Sequence, residues 1–318
     1  MLFKKLENSR IKKILIVSLT NIGDVVLTCP TIDAVITQFP LAEVSLVVGP
    51  KARTLFDQNP YIKNIYIFTK KESWFDLFLL FKRLYCERFD LVIDLRNTAL
   101  AYFLGVPFHT SVLMKKTLAL HKKDQHFLRL KSVVPDAQIT TKRYALFISE
   151  LIRKHAESLF HPSLGWSKSY FVVSPGAADT RKRWTVDGFV AVCQALIDEY
   201  KLPILFIGDA QDKEYSERVI TRLPPGVVNL CGRVSLLEAV WVLRNSHLVL
   251  CNDSAVMHLA SYFDVPVVAL FGPTDPRKYG PWGAKGAFVQ TQSKGEHGEG
   301  FMSGIEVKDV LAKIKSIF

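Results

Sequence analysis

Three features of the sequence point to an α/β protein built from two doubly wound, parallel-sheet domains. Short, continuously apolar runs alternate with stretches of helical periodicity, the pattern of strands covered on both faces. The alternation halts at the polar, turn-rich stretch 161–169 (HPSLGWSKS) and then restarts. In each half the apolar runs lead into loops of Gly, Asp, Ser, Thr and basic residues, the edge at which open α/β sheets bind ligands. The expected domains are therefore 1–160 and 161–318, their sheets facing each other across a cleft lined by these loops.

In the first half, Ile11–Leu19 reads as a buried strand that runs into Thr20–Asp24. One helix is expected to follow and to carry Val25, Val26, Ile32, Val35 and Ile36 inward. Strands are expected at Val44–Val48, Ile65–Phe68 and Leu91–Leu95, with helical stretches near 51–57, 73–86, 97–104 and 141–159. The basic stretch 113–131 (LMKKTLALHKKDQHFLRLK) reads either as an amphipathic helix against an anionic surface or as an ordinary surface helix. In the second half, strands are expected at Tyr170–Ser174, Ile204–Ile207, Val227–Leu230, Leu248–Cys251 and Val265–Phe271. The intervening helices are Val186–Tyr200, Lys213–Leu223, Leu236–Asn245 and one that starts just after Ser254. A glycine-rich loop at 283–300 leads to a closing helix, Val307–Phe318, placed to pack back across the junction onto the first domain.

Composition narrows the function class. Of 318 residues, 49% are hydrophobic and 22% charged, which describes a soluble globular protein, and no run approaches the length of a spanning helix. The five cysteines form no CxxC pair and have no histidine at metal-ligand spacing, so neither a zinc site nor a disulfide framework is expected. A reducing compartment is expected. The net charge of +11 is uneven: residues 1–160 hold 24 Lys and Arg against 14 Asp and Glu, whereas residues 161–318 hold 17 against 16. The excess reads either as a surface for an anionic partner, whether nucleic acid, a membrane face or a phosphorylated substrate, or as a solvated face that charge keeps soluble.

Four loops carry the chemistry. After the first strand, NIGDVVLTCP lacks the three glycines of a dinucleotide fingerprint, which disfavours a dehydrogenase. It offers Asp24 at a helix start, either as a cap or as a general base for an incoming hydroxyl. The loop SPGAADTRKRW, 174–184, combines Gly176 and Ala177 for close backbone approach with Thr180, Arg181, Lys182 and Arg183, groups suited to a diphosphate leaving group. The loop at 208–214 supplies Asp209, Asp212 and Glu214, able to hold ribose hydroxyls or to cap the next helix. In NDSAVMHLA, Asn252, Asp253 and Ser254 are positioned to cap a helix whose amides and dipole favour phosphate. His258 lies one turn further in, close to the face of Ser254.

These motifs resemble the signatures of glycosyltransferase family 9, the ADP-heptose:lipopolysaccharide heptosyltransferases. NIGDVVLTCP is similar to the N-terminal signature; SPGAADTRKRW, and NDSAVMHLA with VPVVALFGPTDP, are similar to the two C-terminal ones, in the right order over roughly residues 12–285. The resemblance implies the GT-B fold, with acceptor bound by the first domain and nucleotide-sugar by the second. It implies Asp24 as general base, Lys182 on the donor phosphates with Thr180 nearby, and Asp253, Ser254, Ala255 and His258 at the donor-binding helix start. Glu214 is implied at the ribose, where Asp212 competes with it. Ala255 departs from the family's usual Gly, and Thr185 from a Pro that often follows the Trp. The implied reaction is inverting transfer of heptose from ADP-heptose to the lipopolysaccharide inner core. It calls on no cofactor, no metal and no nucleic acid, and it is expected to run at the cytoplasmic face of the inner membrane with the protein peripherally attached. The alternatives are a related transferase using another nucleotide-sugar, or a non-catalytic nucleotide-binding protein or scaffold on anionic lipid.

Overall fold

A computed structural model describes residues 8–69, 73–111, 119–164, 169–291 and 300–317. Contacts divide the chain into two units, Met1–Phe147 and Ile148–Phe318.

In the first unit the elements are β1 (Lys13–Val17), α1 (Ile22–Val26), α2 (Cys29–Gln38), β2 (Glu43–Val48), α3 (Pro50–Arg53), β3 (Asn64–Ile67), α4 (Trp74–Glu87), β4 (Leu91–Asp94), α5 (Leu100–Phe103), β5 (Phe108–His109) and α6 (Lys122–Lys131). The five strands are parallel in the order β3-β2-β1-β4-β5, and the direction of winding reverses between β1 and β4. Ile14, Leu15, Ile16, Leu46, Val92 and Ile93 are fully buried, as continuous apolar runs in a two-sided sheet require.

Two expectations for this unit are corrected. The helix after β1 is two helices, because Pro30 lacks an N–H and occupies the first turn of a new one; Thr28 ends α1 by donating its hydroxyl and amide to the Val25 carbonyl. The stretch 141–149 is not helical. Asn59 donates its amide to the carbonyls of Tyr144 and Ala145 at 2.9 and 2.8 Å, and the Ala145 amide donates to buried Asp33 at 2.7 Å, so tertiary partners take the place of a helical ladder. The basic stretch 113–131 falls partly outside the described residues. Its remainder, α6, packs on α2 with His126 and Leu130 buried.

The second unit contains α7 (Glu150–Leu164), β6 (Phe171–Ser174), α8 (Val186–Tyr200), β7 (Ile204–Phe206), α9 (Lys213–Ile220), β8 (Val227–Asn229), α10 (Leu236–Arg244), β9 (Leu248–Asn252), α11 (Ala255–Tyr262), β10 (Val267–Phe271), α12 (Pro276–Tyr279), β11 (Gly286–Gln290) and α13 (Val307–Ile317). Its six parallel strands lie in the order β11-β10-β9-β6-β7-β8, and winding reverses between β6 and β9. The expected boundary at 160/161 moves to 147/148, because α7 packs on α10 and His155 is hydrogen-bonded to Glu238. The expected linker, 161–169, begins inside α7 and continues outside the described residues. Part of the expected glycine-rich loop at 283–300 is the edge strand β11, and the rest again lies largely outside them. The closing helix uses its apolar face on its own unit: Val310 and Ile314 are buried in the core with Phe171, Trp184 and Leu196.

Trp184 organises this core. Its indole N–H donates to the Ile305 carbonyl at 3.1 Å, and Tyr215 donates its hydroxyl to the Trp184 carbonyl. The ring lies so close to α8 that a methyl at Gly188 would stand 2.4 Å from it, which explains a glycine inside a helix.

Candidate active site

The switch point of the second sheet brings the tips of β6 and β9 side by side, with Ser174 paired to Cys251. The loop after β6 turns through Asp179, which accepts the Arg181 amide and opens a single 3-10 turn, Thr180–Lys182. That turn separates the three cations expected to act together. Arg181 points outward into an ion pair with Asp179 at 2.7 Å. Arg183 reaches back to the Ala177 carbonyl at 2.8 Å and lies 3.9 Å from Asp212. Lys182 alone crosses to the β9 loop, where its Nζ donates to Asp253 Oδ2 at 2.7 Å. Thr180 is exposed on the same turn.

Asp253 is held by its own backbone, which donates to the Leu270 carbonyl at 3.0 Å, and its side chain is 6% exposed. Asn252, beside it, is fully buried and braces the two loops: its amide donates to the Pro175 carbonyl at 2.6 Å and its oxygen accepts from the Trp184 amide at 3.3 Å. The expected side-chain caps of α11 are therefore not made. Ser254 occupies the cap position in extended geometry without a side-chain cap bond, and its hydroxyl oxygen is buried with no hydrogen-bond partner among the described residues. An uncapped helix start with an orphaned hydroxyl and a lysine at its mouth is equipped for an anion. Ala255, the first helical residue, is half-buried at this start. His258 is buried one turn in, its ring stacked on Trp282 at 5.6 Å and 26°.

The two competing acidic residues differ in their surroundings. Glu214 is exposed in the first turn of α9, whereas Asp212 is drawn in as a capping partner, accepting the Asp209 amide at 3.1 Å. A methyl at Gly176 would stand 2.0 Å from the Asp212 carboxyl, and one at Gly208 2.7 Å from it, so both glycines are spaces that this side chain fills. Burial, with Asp209 beside it, pushes the Asp212 carboxyl above its usual range.

In the first unit, Asp24 lies in the first turn of α1 beyond the tip of β1, half-buried, and is not a cap: its carboxylate accepts from the Asn21 side chain at 3.1 Å. At the adjacent strand tip, Asp94 accepts from the Arg96 and Thr98 amides, and Arg129 donates to the Asp94 carbonyl at 2.8 Å. Asn252, read from the sequence as a helix cap, is instead the brace between the two loops, and Asp94, Arg129 and Trp282 are not singled out by the sequence. Asp94 ends an apolar run in the same way as Asp253 does and could have been flagged by that likeness; the others gave no signal.

The family model described as glycosyltransferase family 9 (heptosyltransferase) matches residues 77–299. The chain is 24% identical to lipopolysaccharide heptosyltransferase 3 of Escherichia coli over 93% of this chain and 96% of that protein. Among solved structures, a glycosyl transferase family 9 protein from Veillonella parvula superposes with a TM-score of 0.79 at 22% identity, covering 96% of this chain and 97% of its own. The E. coli ADP-heptose lps heptosyltransferase II does so with a TM-score of 0.76 at 21% identity, covering 96% and 98%. The fold is accordingly the GT-B class of two parallel-sheet α/β domains.

Proposed function

The chain belongs to glycosyltransferase family 9, and from that premise we propose that it is an inverting heptosyltransferase that moves heptose from ADP-heptose to the inner core of lipopolysaccharide. The relatives' names supply the donor and the acceptor. The observation that carries the reading is the lysine at the mouth of an uncapped helix: Lys182 on Asp253 at 2.7 Å, beside the orphaned Ser254 hydroxyl.

In this reading the donor diphosphate lies at the start of α11, against Lys182, the Ser254 hydroxyl and the amides of 253–255, with Thr180 alongside. Asp212 or Glu214 takes the ribose hydroxyls, and His258 backs the helix start. Asp24 removes the proton from an acceptor hydroxyl. The acceptor oxygen forms its bond to the anomeric carbon on the face opposite the diphosphate, while the bond from that carbon to the phosphate oxygen breaks and ADP leaves with the electron pair. Lys182 and the amides serve the transition state more than the ground state, because the bridging oxygen gains charge as it departs. The Ala255 methyl narrows the approach to the phosphates relative to glycine. No resident metal or cofactor is assigned a step. The acceptor is membrane-borne, so the enzyme works peripherally at the cytoplasmic face of the inner membrane.

Calorimetry with ADP, UDP and GDP tests the donor assignment. ADP is expected to bind at least about tenfold more tightly than the others, a difference of about 1.4 kcal/mol. Equal or tighter binding of UDP or GDP would replace the donor with another nucleotide-sugar.

A further inference from the structure

Helix α4 carries more apolar surface than the first unit covers. Its sequence, WFDLFLLFKRLYCE, is apolar around most of its circumference. One side is used: Leu84 is buried, and Leu80 and Phe81 pack on the cluster around Val17, Phe89 and Val92. At about 100° per residue, Trp74, Phe78 and Tyr85 line up on another side, with Phe75 and Leu79 next to them. Those side chains are 89%, 60%, 58%, 67% and 37% exposed. Helix α5 packs into the same cluster and exposes Phe103 at 71%. A helix apolar on two sides normally has both covered, and a contiguous exposed patch of large side chains marks an interaction site.

The charges around the patch identify what covers it. Lys82 stands within the exposed face and Arg83 and Arg88 beside it, all three exposed. Glu87 is engaged by Lys13 at 3.0 Å and Tyr66 at 3.1 Å, and the exposed Asp76, which accepts the Ser73 hydroxyl at 2.6 Å, sets one carboxylate against these three cations. Aromatic side chains with outward cations are the composition of a helix lying in an anionic lipid interface. The surplus of basic residues over 1–160 has the same sign. A second copy of the chain fits less well, because a two-fold contact through this face would set Lys82 and Arg83 against their own equivalents.

We propose that the exposed face of α4 seats the protein on an anionic bilayer, with Trp74, Phe75 and Phe78 entering the headgroup region and Lys82 and Arg83 meeting lipid phosphates. This extends the reading that the acceptor is membrane-borne, and binding to vesicles, which needs no turnover, separates the two. The test is co-sedimentation of the full chain with phosphatidylcholine vesicles with and without phosphatidylglycerol, together with tryptophan fluorescence. The parent is expected to partition onto the anionic vesicles with a blue shift that Trp74→Ser removes. Trp74→Ser with Phe78→Ser is expected to lower the partition coefficient about a hundredfold. Lys82→Gln with Arg83→Gln is expected to lower it about twentyfold, with salt doing the same to the parent. All these variants change exposed residues and are expected to keep the parent's melting temperature and ADP affinity. Partition that is unchanged in the Trp74/Phe78 variant would overturn the proposal, as would a parent that ignores vesicles. So would a parent that sediments as a dimer, turns monomeric in that variant and has no affinity for lipid.

Discussion

Replacing Lys182 with Met tests the centre of the donor site. At 2.7 Å two unit charges attract by about 6 kcal/mol at an effective dielectric of about 20, most of it offset by desolvation of the pair. Removing the lysine leaves Asp253, 6% exposed, as a charge without its counterion. Because the lysine itself keeps 27% exposure and water can partly take its place, we expect a loss of about 2 kcal/mol in unfolding free energy rather than the full cost of a deeply buried pair. For the donor, a charge-assisted hydrogen bond to phosphate contributes about 1.5–3 kcal/mol, and the unmasked carboxylate adds repulsion, so ADP is expected to bind about a hundredfold more weakly. The assay is a paired one, urea unfolding and ADP calorimetry on the same preparations. Lys182→Met with Asp253→Asn is expected to recover most of the lost stability but not the affinity, which separates the structural role of the pair from its role toward phosphate. Unchanged ADP affinity in Lys182→Met would refute the assignment, whatever happened to stability.

Four further outcomes are expected. Asp24→Asn keeps the bond from Asn21 within reach, so ADP affinity stays at the parent's value while kcat falls about 10²–10⁴-fold; initial rates of ADP release measure it. Gly176→Ala puts a methyl where the Asp212 carboxyl lies and is expected to cost about 1–3 kcal/mol, with Asp212→Ala in the same chain restoring most of it in thermal melts. His126, buried in α6, is pushed down to about 4 by burial and then by Lys122, Arg129 and His121. An unfolded histidine takes its proton near pH 6.5, so stability present above that value is lost as pH falls through the window to about 4. The loss is about 3 kcal/mol, and His126→Leu should flatten it in urea midpoints. Ser254→Ala removes an orphaned buried hydroxyl and is expected to leave stability near the parent's while weakening ADP about tenfold; a variant that gains stability and binds ADP as before would argue against the phosphate cradle.

Much of the fold was legible because parallel strands buried on both faces announce themselves as apolar runs: β2, β4, β6 and β9 fall where Val44–Val48, Leu91–Leu95, Tyr170–Ser174 and Leu248–Cys251 were expected. Of the four edge strands, β3 and β8 fall on expected runs, whereas β5 and β11 do not announce themselves. The residues of β11 are half-buried or exposed and begin at a glycine, and β5 has only two residues. Helices failed where a distant partner outbid local periodicity, as Asp33 and Asn59 do at 144–145. Strand order, and with it the adjacency of β6 and β9, has no local signature, yet it is what brings Lys182 to Asp253 across 71 residues. The site's side-chain types were readable from their loops. Their division of labour was not: nothing in TRKR says that Arg181 turns outward to Asp179 while Lys182 turns in, and nothing in DAQDKE says that Asp212 rather than Glu214 fills the space left by Gly176 and Gly208.

Acceptor-dependent transfer from a nucleoside-diphosphate heptose is open to direct product analysis with purified components. With ADP-heptose and heptose-deficient lipopolysaccharide, we expect one heptose added in the anomeric configuration opposite to the donor's, with one ADP released per transfer and none when the acceptor is left out. A product that retains the donor's configuration, or ADP release that does not depend on the acceptor, would contradict it.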